Sequence, residues 1–472
     1  MVNVADDHYD VIVVGAGTGG SIAARFAQQS GLKTLMIDRK PRDKIGEKIC
    51  GDAMGSEIFD MIGIAHPSGG ELAYRLQGAR LLSPDMSKEF IMTDPKQAGY
   101  ILNRLVFGQR LLADAIDAGV EFRDNLHVKK AMQENGSVTG VECTGDDGTL
   151  VIINGKIVID ASGFYSLIRE NLKSTLIENS IDPGDTILCY REILELKNEA
   201  VVCPEYITIH LTQDLAPGGY IWYFPHGDDI VNIGLGGSQK KGEFFSKKGE
   251  KIGSIIKKRY QENCLSRLIK GEYDVISSGA GAVPVRRPLW SLVDNGIMFV
   301  GDSACQVNPL HGGGIEASMR AGWIAAKVAA KAIAAGDVST GNLWDYNVQY
   351  MRGQGSQFAA LDILRIALQH FKDVDLNFGL KKEILSGKDI LNIAYAGELK
   401  LGMLDALTRV FRVGLLDSLT HATLLINLAY VHKLMTDIKQ LYEKFPASND
   451  MGNFQMWKKR VEEIYKKIKH AF

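Results

Sequence analysis

Short apolar runs punctuated by glycine fill the first part of the chain, and amphipathic helical stretches fill the last. The run Val11–Val14, with Asp10 ahead of it, suits a buried parallel strand and leads directly into GAGTGG. A helical stretch follows, then a second apolar strand, Thr34–Ile37, closed by Asp38 and Arg39. Beyond a glycine-punctuated loop, Ala53–Met61 reads as a short helix. Leu105, Leu111, Leu112, Ala115 and Ile116 form one face of a helix over Leu105–Ala118, which Gly119 ends. Val120–Val128 and Ser137–Cys143 alternate as strands, and Ile152–Ile159 runs into DASG, Asp160–Gly163. The stretch from 176 to 238 holds four strand-like runs, TILCYREIL, EYITIHL, GGYIWYFPHG and DIVNIGLGG, predicting a mostly antiparallel sheet. A further strand, Gly296–Val300, then meets GDSA and NPLHGGG and opens a helix over Ile315–Ala335. From about 343 onward the pattern is helical, with faces that either pack on the body or meet a membrane surface.

The spacing of the first motif carries chemistry. Gly15 permits a tight turn, Gly17 lets a pyrophosphate approach the backbone, and Gly20 lets the helix pack closely. Asp38 stands where a carboxylate binds a ribose hydroxyl pair. Strand, turn, helix, strand and acid occur in order, so the segment predicts a bound adenine dinucleotide. The small residues Ala161 and Gly163 at a strand end again suggest backbone close to a ligand. Alternation in YIWYFP places Tyr220, Trp222 and Phe224 on one face and Ile221 and Tyr223 on the other. Three aromatics on one face either wall a pocket for an extended apolar ligand or pack on the sheet's own core.

Composition narrows the field. The 472 residues predict two or three domains, and a net charge of −2 gives no support to general nucleic-acid binding. Six scattered cysteines without a CxxC argue against a zinc site, and a single long-range disulfide stays open. Acids at Asp6 and Asp7 precede the first apolar run, so no signal peptide is expected there. Gln239–Arg259 carries seven lysines, which read first as a solvated face. The expected location is cytoplasmic, peripheral at the inner face of the membrane at most.

Together GAGTGG, DASG, GDSA and NPLHGGG resemble the flavoprotein group that includes aromatic-ring hydroxylases and geranylgeranyl reductases. KICG (Lys48–Gly51) and PGGYIWYFP, matching PxxYxWxFP at Pro217, Tyr220, Trp222, Phe224 and Pro225, resemble the archaeal geranylgeranyl reductase branch. The resemblance implies an α/β fold: a Rossmann-like FAD-binding domain of the aromatic-hydroxylase type with an inserted sheet domain and a helical C-terminal region. The implied divisions are 1–175 and 276–340 for FAD, 176–275 for substrate with help from 65–100, and 341–472 for the helices. It also implies FAD contacts from Asp302, Gly312, Gly313, Gly314 and Arg104, while Lys48, Cys50 and Gly51 of GEKICG, close after the ribose-binding strand, are expected to face the cofactor.

The function it implies is saturation of isoprenoid double bonds in ether lipids or their diphosphate precursors, by hydride from reduced flavin. NADPH, NADH or reduced ferredoxin would reload the flavin. Cys50 and Tyr220 become catalytic candidates, Cys50 as a gate, a proton relay or a partner for Cys305, and Tyr220 as a pocket wall or donor. The alternatives are a monooxygenase of the same fold and a non-catalytic flavin- and lipid-binding protein.

Overall fold

The computed structural model describes residues 2–93, 99–197, 201–239, 252–397 and 422–472. The first apolar run lies at the end of a longer strand, Val2–Val14, whose Val11–Val14 end is wholly buried. It pairs in parallel with Thr34–Ile37 on one side and Leu150–Asp160 on the other. Ile297–Phe299 adds in parallel beyond Leu150–Asp160, and Glu121–Arg123 beyond Thr34–Ile37. Among the described residues this sheet has eight strands, including a hairpin of Leu126–Glu134 and Ser137–Gly145. Val, Ile and Leu on both faces of its centre are what a sheet covered on both sides requires.

The second sheet has seven strands in the order Tyr273–Pro284, Thr186–Leu196, Ile230–Ser238, Tyr220–Pro225, Tyr206–His210, Gly78–Leu82 and Glu89–Thr93. All neighbours are antiparallel except Tyr206–His210 with Gly78–Leu82. Two strands from before residue 100, Gly78–Leu82 and Glu89–Thr93, close one side of the sheet. The strand Tyr273–Pro284 had no sequence reading, because YDVISSGAGAVP is too poor in alternating apolar residues to signal one. Ala53–Met61 also differs from expectation. It splits into a strand, Ala53–Gly55, and a helix, Glu57–Ile62, because Ala53–Gly55 pairs with Gly99–Leu102.

The helix Ile315–Ala334 crosses Thr18–Gln29 closely, since a Cβ on Gly322 would lie 2.3 Å from the Gly19 carbonyl oxygen. This approach brings the two helix N-termini side by side, joined by Thr18 Oγ1 and Ser318 Oγ at 2.9 Å. Helices Thr340–Tyr350, Ser356–Leu368, Ala422–Glu443 and Met451–Ala471 pack onto the same core as the central sheet. Of the C-terminal stretches, 398–421 lies outside the described residues, as does 240–251 of the lysine-rich run. No described helix is long and apolar enough to cross a membrane.

A buried ionic network ties these layers together. Glu178 accepts from Arg286 Nη2 at 2.7 Å and from Arg287 Nη2 at 3.0 Å. Arg365, in helix Ser356–Leu368, pairs with Asp362 at 2.6 Å and Asp185 at 2.9 Å. Burial works against ionisation of Glu178, but the Arg287 and Arg286 guanidiniums outweigh it and hold its carboxyl well below the usual range. A depressed carboxyl pKa contributes stability above the unfolded value, and that stability is lost as pH falls. Glu178→Gln, which leaves two buried guanidiniums short of charge, should destabilise the protein by about 3–5 kcal/mol at neutral pH. Denaturant unfolding from pH 7 to pH 3 should show the gap between wild type and variant narrowing on the acid side.

Candidate active site

The glycines of the first motif do three different jobs. Gly15 adopts φ +100°, and a Cβ there would lie 2.5 Å from the Ala161 carbonyl oxygen. Gly20 packs back on that turn, where a Cβ would stand 1.8 Å from Gly15 O. Gly17 faces open space, with nothing within 4 Å of its would-be Cβ. It caps the helix Thr18–Gln29 without a side-chain acceptor, so the first amides of that helix point into a cavity. Asp38 Oδ2 accepts from Ala16 N at 2.7 Å and Oδ1 from Lys40 N at 2.9 Å, which fixes the carboxyl at the edge of the same cavity.

The second glycine loop arrives at the other helix start. Gly314 precedes Ile315–Ala334, again with no side-chain cap, and Gly312 takes φ +73°. Asp302 is nearly buried and pairs with Lys48 at 2.8 Å, linking the GDSA turn to the KICG loop. Ala161 and Gly163 line the cavity beside them; Asp160 just before is buried and accepts from Ser162 and Ser166. Arg104 begins the helix Arg104–Asp117; its Nε is buried without a partner while Nη1 reaches Cys50 Sγ at 3.7 Å.

The aromatic strand supplies the facing wall. Tyr220, Trp222 and Phe224 share one face as alternation predicts, with Ile221 and Tyr223 in the core behind them. The Trp222 ring lies against Gly234 of the adjacent strand, where a Cβ would be 2.0 Å away. Tyr220 donates its hydroxyl proton to His311 O at 2.6 Å, joining this sheet to the second glycine loop. Burial raises the Tyr220 hydroxyl well above its ordinary range, so it stays protonated in that bond. Pro217 and Pro225 do not line the cavity; they bound the strand, Pro217 O accepting from Ser238 N at 2.8 Å.

All of this surrounds one cavity of about 980 Å³. It runs from Gly17, Asp38 and Arg39 past Cys50, Gly51 and Gly313 to Trp222, and on to Leu376, Leu380, Leu424 and Leu428. The cysteines correct one expectation: all six are free, so Cys50 and Cys305 are not bridged. Cys305 is buried beside Arg286 and Arg169, whereas Cys50 faces Arg104, Asp52 and Cys189. Burial, with Cys50 second, raises the Cys189 thiol to about 12.

Sequence reasoning missed His311, Cys189 and the polar pair Asp52 and Asn232. Asn232 is the one signal that was available, as a lone amide within the apolar run of DIVNIGLGG. His311 lines the cavity, accepts from Gly313 N at 3.2 Å through Nδ1, and is lowered to about 4 by burial.

Comparison with known proteins matches this geometry. A model described as FAD dependent oxidoreductase matches residues 10–168, and one described as geranylgeranyl reductase catalytic domain matches 185–276. The chain is 36% identical over 467 residues to digeranylgeranylglycerophospholipid reductase of Sulfolobus acidocaldarius, covering 97% of each. It belongs to the digeranylgeranylglycerophospholipid reductase family. A second member, from Methanothrix thermoacetophila, is 33% identical over 78% of this chain and 89% of its own length. Among solved structures, a geranylgeranyl bacteriochlorophyll reductase-like protein of Thermoplasma acidophilum superimposes with a TM-score of 0.70 at 26% identity. It covers 89% of this chain and is itself covered in full. A myxobacterial FAD-dependent halogenase shares the fold alone, at 16% identity and a TM-score of 0.64.

The chain is thus an FAD-dependent oxidoreductase of this family, and its residues fit that cofactor. Two helix N-termini without side-chain caps, a glycine open to the cavity, a fixed carboxyl and an unpartnered guanidinium nitrogen form a cradle for a dinucleotide. Asp38→Ala should weaken FAD binding roughly 10- to 100-fold, the worth of a hydrogen bond to a charged group. Flavin titration of the deflavo protein measures this; unchanged affinity would remove Asp38 from the cradle.

Proposed function

We propose that the protein saturates carbon–carbon double bonds of a geranylgeranyl ether lipid or its isoprenoid precursor, using reduced FAD. The observation that carries this reading is the single cavity whose walls are the dinucleotide loops at one end and the apolar aromatic strand at the other. The family's Sulfolobus and Methanothrix members bear the corresponding lipid reductase name.

Bound and reduced, FAD supplies a hydride. The protein's own work is to place the alkene, keep water away and deliver a proton. Trp222 and Phe224, each buried and tilted 44° to one another, offer an apolar surface along which a polyprenyl chain can lie. An isolated alkene offers no oxyanion to stabilise, so orientation and dryness carry the burden. Tyr220 is committed to His311 O and acts as wall and tether. The proton source we assign is the Cys50 thiol. Burial first, and the charge of Asp52 second, raise its pKa against the pull of Arg104, the Asp52 backbone amide and Lys48. It therefore holds a proton at Sγ near neutral pH, ready for the carbon that does not receive the hydride.

The anaerobically reduced holoenzyme should reoxidise on addition of a geranylgeranyl lipid, the product gaining two mass units per double bond. Oxygen-dependent gain of sixteen units instead would establish the monooxygenase reading, and persistent reduced flavin with bound lipid the non-catalytic one. Trp222→Ala should lower turnover of the long lipid at least tenfold with FAD retained. The same assay, run with NADPH, NADH or reduced ferredoxin in place of chemical reductant, identifies the donor.

A membrane supply of substrate fits the far end of the cavity. Val374 and Ile426 are 68% and 67% exposed, close in sequence to the lining residues Leu376, Leu424 and Leu428. We place the enzyme peripherally at the cytoplasmic face, with this end toward the lipid. Flotation with liposomes should recover the wild type, and Val374→Ser with Ile426→Ser should reduce recovery severalfold; equal recovery would contradict the placement.

A further inference from the structure

A buried polar cluster sits under the Cys50 turn, and the mechanism above uses only the charge of one member, Asp52. Asp52 is 2% exposed and adopts φ +65°, unusual for a residue with a Cβ. Asn232, wholly buried, donates from Nδ2 to Cys50 O at 2.9 Å and to Asp52 Oδ2 at 3.1 Å. Its Oδ1 accepts from the Trp222 indole at 3.0 Å. His226 Nε2 lies 3.3 Å from Asp52 Oδ2, without the alignment of a hydrogen bond. Asp52 Oδ1 is buried with no partner at all.

Burying a carboxyl group with one oxygen unpartnered is costly, and the left-handed backbone adds to that cost. Such expense is characteristic of groups that act electrically on a neighbour. The neighbour here is the thiol. Two cations face it, Arg104 from the helix Arg104–Asp117 and Lys48 from its own loop, the latter paired with Asp302, and the Asp52 backbone amide adds to their pull. Cys189 and Tyr220 face it from the sheet, both neutral at ordinary pH. A thiol beside two cations tends toward the thiolate, which has no proton to give. A negative charge on Asp52 opposes them.

We propose that Asp52, anchored by Asn232 and flanked by His226, is a positioning residue that keeps the proton on Cys50 and holds its turn against the aromatic wall. The proposal rests on the reading of Cys50 as proton source. In each turnover the S–H bond breaks, the proton bonds to the alkene carbon opposite the one receiving hydride, and solvent water returns a proton to sulfur. Asn232 makes the anchor common to both partners, because the same amide holds the Cys50 turn and the Trp222 ring. The donor and the lipid wall therefore keep a fixed separation.

The test is the pH dependence of Cys50 alkylation by iodoacetamide in the FAD-loaded enzyme, read peptide by peptide. Asp52→Asn should move the alkylation midpoint down by roughly one to three pH units, with Asp52→Glu restoring it. The alkaline limb of kcat should move by the same amount, while KM and flavin content hold. An unchanged alkylation midpoint in FAD-loaded D52N would overturn the proposal. Should D52N fail to load FAD, Asp52→Ser carries the same expectation. In the wild type itself, a midpoint below the ordinary cysteine value of about 8.5 would also overturn it. Failure of the underlying reading looks different: Cys50→Ser would then turn over like wild type, whatever the alkylation profile shows.

Discussion

A tyrosine hydroxyl on one sheet and a backbone carbonyl in the loop of another, 2.6 Å apart, decide where the two halves of this site meet. Tyr220 belongs to the aromatic strand and His311 to the glycine loop that opens the helix Ile315–Ala334. Were they further apart, the apolar wall and the dinucleotide cradle would be separate pockets. The ion pair of Lys48 with Asp302 and the amide of Asn232 on Cys50 O act in the same direction. They draw the KICG loop across the gap between the two sheets, so that it roofs the junction.

Close approach on this scale needs missing side chains. Gly234 lets the Trp222 ring lie flat on its neighbour strand, and Gly51 lets the loop pass Phe224, whose ring would be 2.7 Å from a Cβ there. Gly279 does the same for Ile49, at 2.3 Å. The floor of the sheet is therefore glycine-rich where the loop crosses it and aromatic where a lipid is proposed to run. The ionic network of Glu178, Arg286, Arg287, Asp362 and Arg365 lies behind this floor and locks the sheet to the C-terminal helices. Its reach extends to the site: Arg365 donates to Gln369 Oε1 at 3.1 Å, and Gln369 donates to Gly218 O at 2.9 Å, at the turn leading to Tyr220.

What was legible in the sequence was what local chemistry demands. A glycine turn between strand and helix, a carboxyl at the next strand end and alternating aromatics each leave a pattern within a few residues. The Thr34–Ile37 strand and the two faces of YIWYFP are as that pattern requires. What escaped is non-local. Tyr273–Pro284 is a strand because Thr186–Leu196 offers it a ladder, and its serines and glycines announce nothing alone. Asp52, Asn232 and His226 lie up to 180 positions apart in the chain and become a cluster only when the sheet brings them together. The pairing of Cys50 with Cys305 failed for the same reason, since proximity of two cysteines is a tertiary fact. The resemblance to a family supplied the substrate class, which no residue pattern here could have named.

The most direct measurement is a structure of the FAD-loaded, anaerobically reduced enzyme with a geranylgeranyl lipid bound. The lipid chain is expected along Trp222 and Phe224, with one alkene carbon about 3–3.5 Å from flavin N5 and its neighbour facing Cys50 Sγ. A lipid held elsewhere, or a double bond out of reach of N5 with Trp222 facing empty space, would contradict this placement.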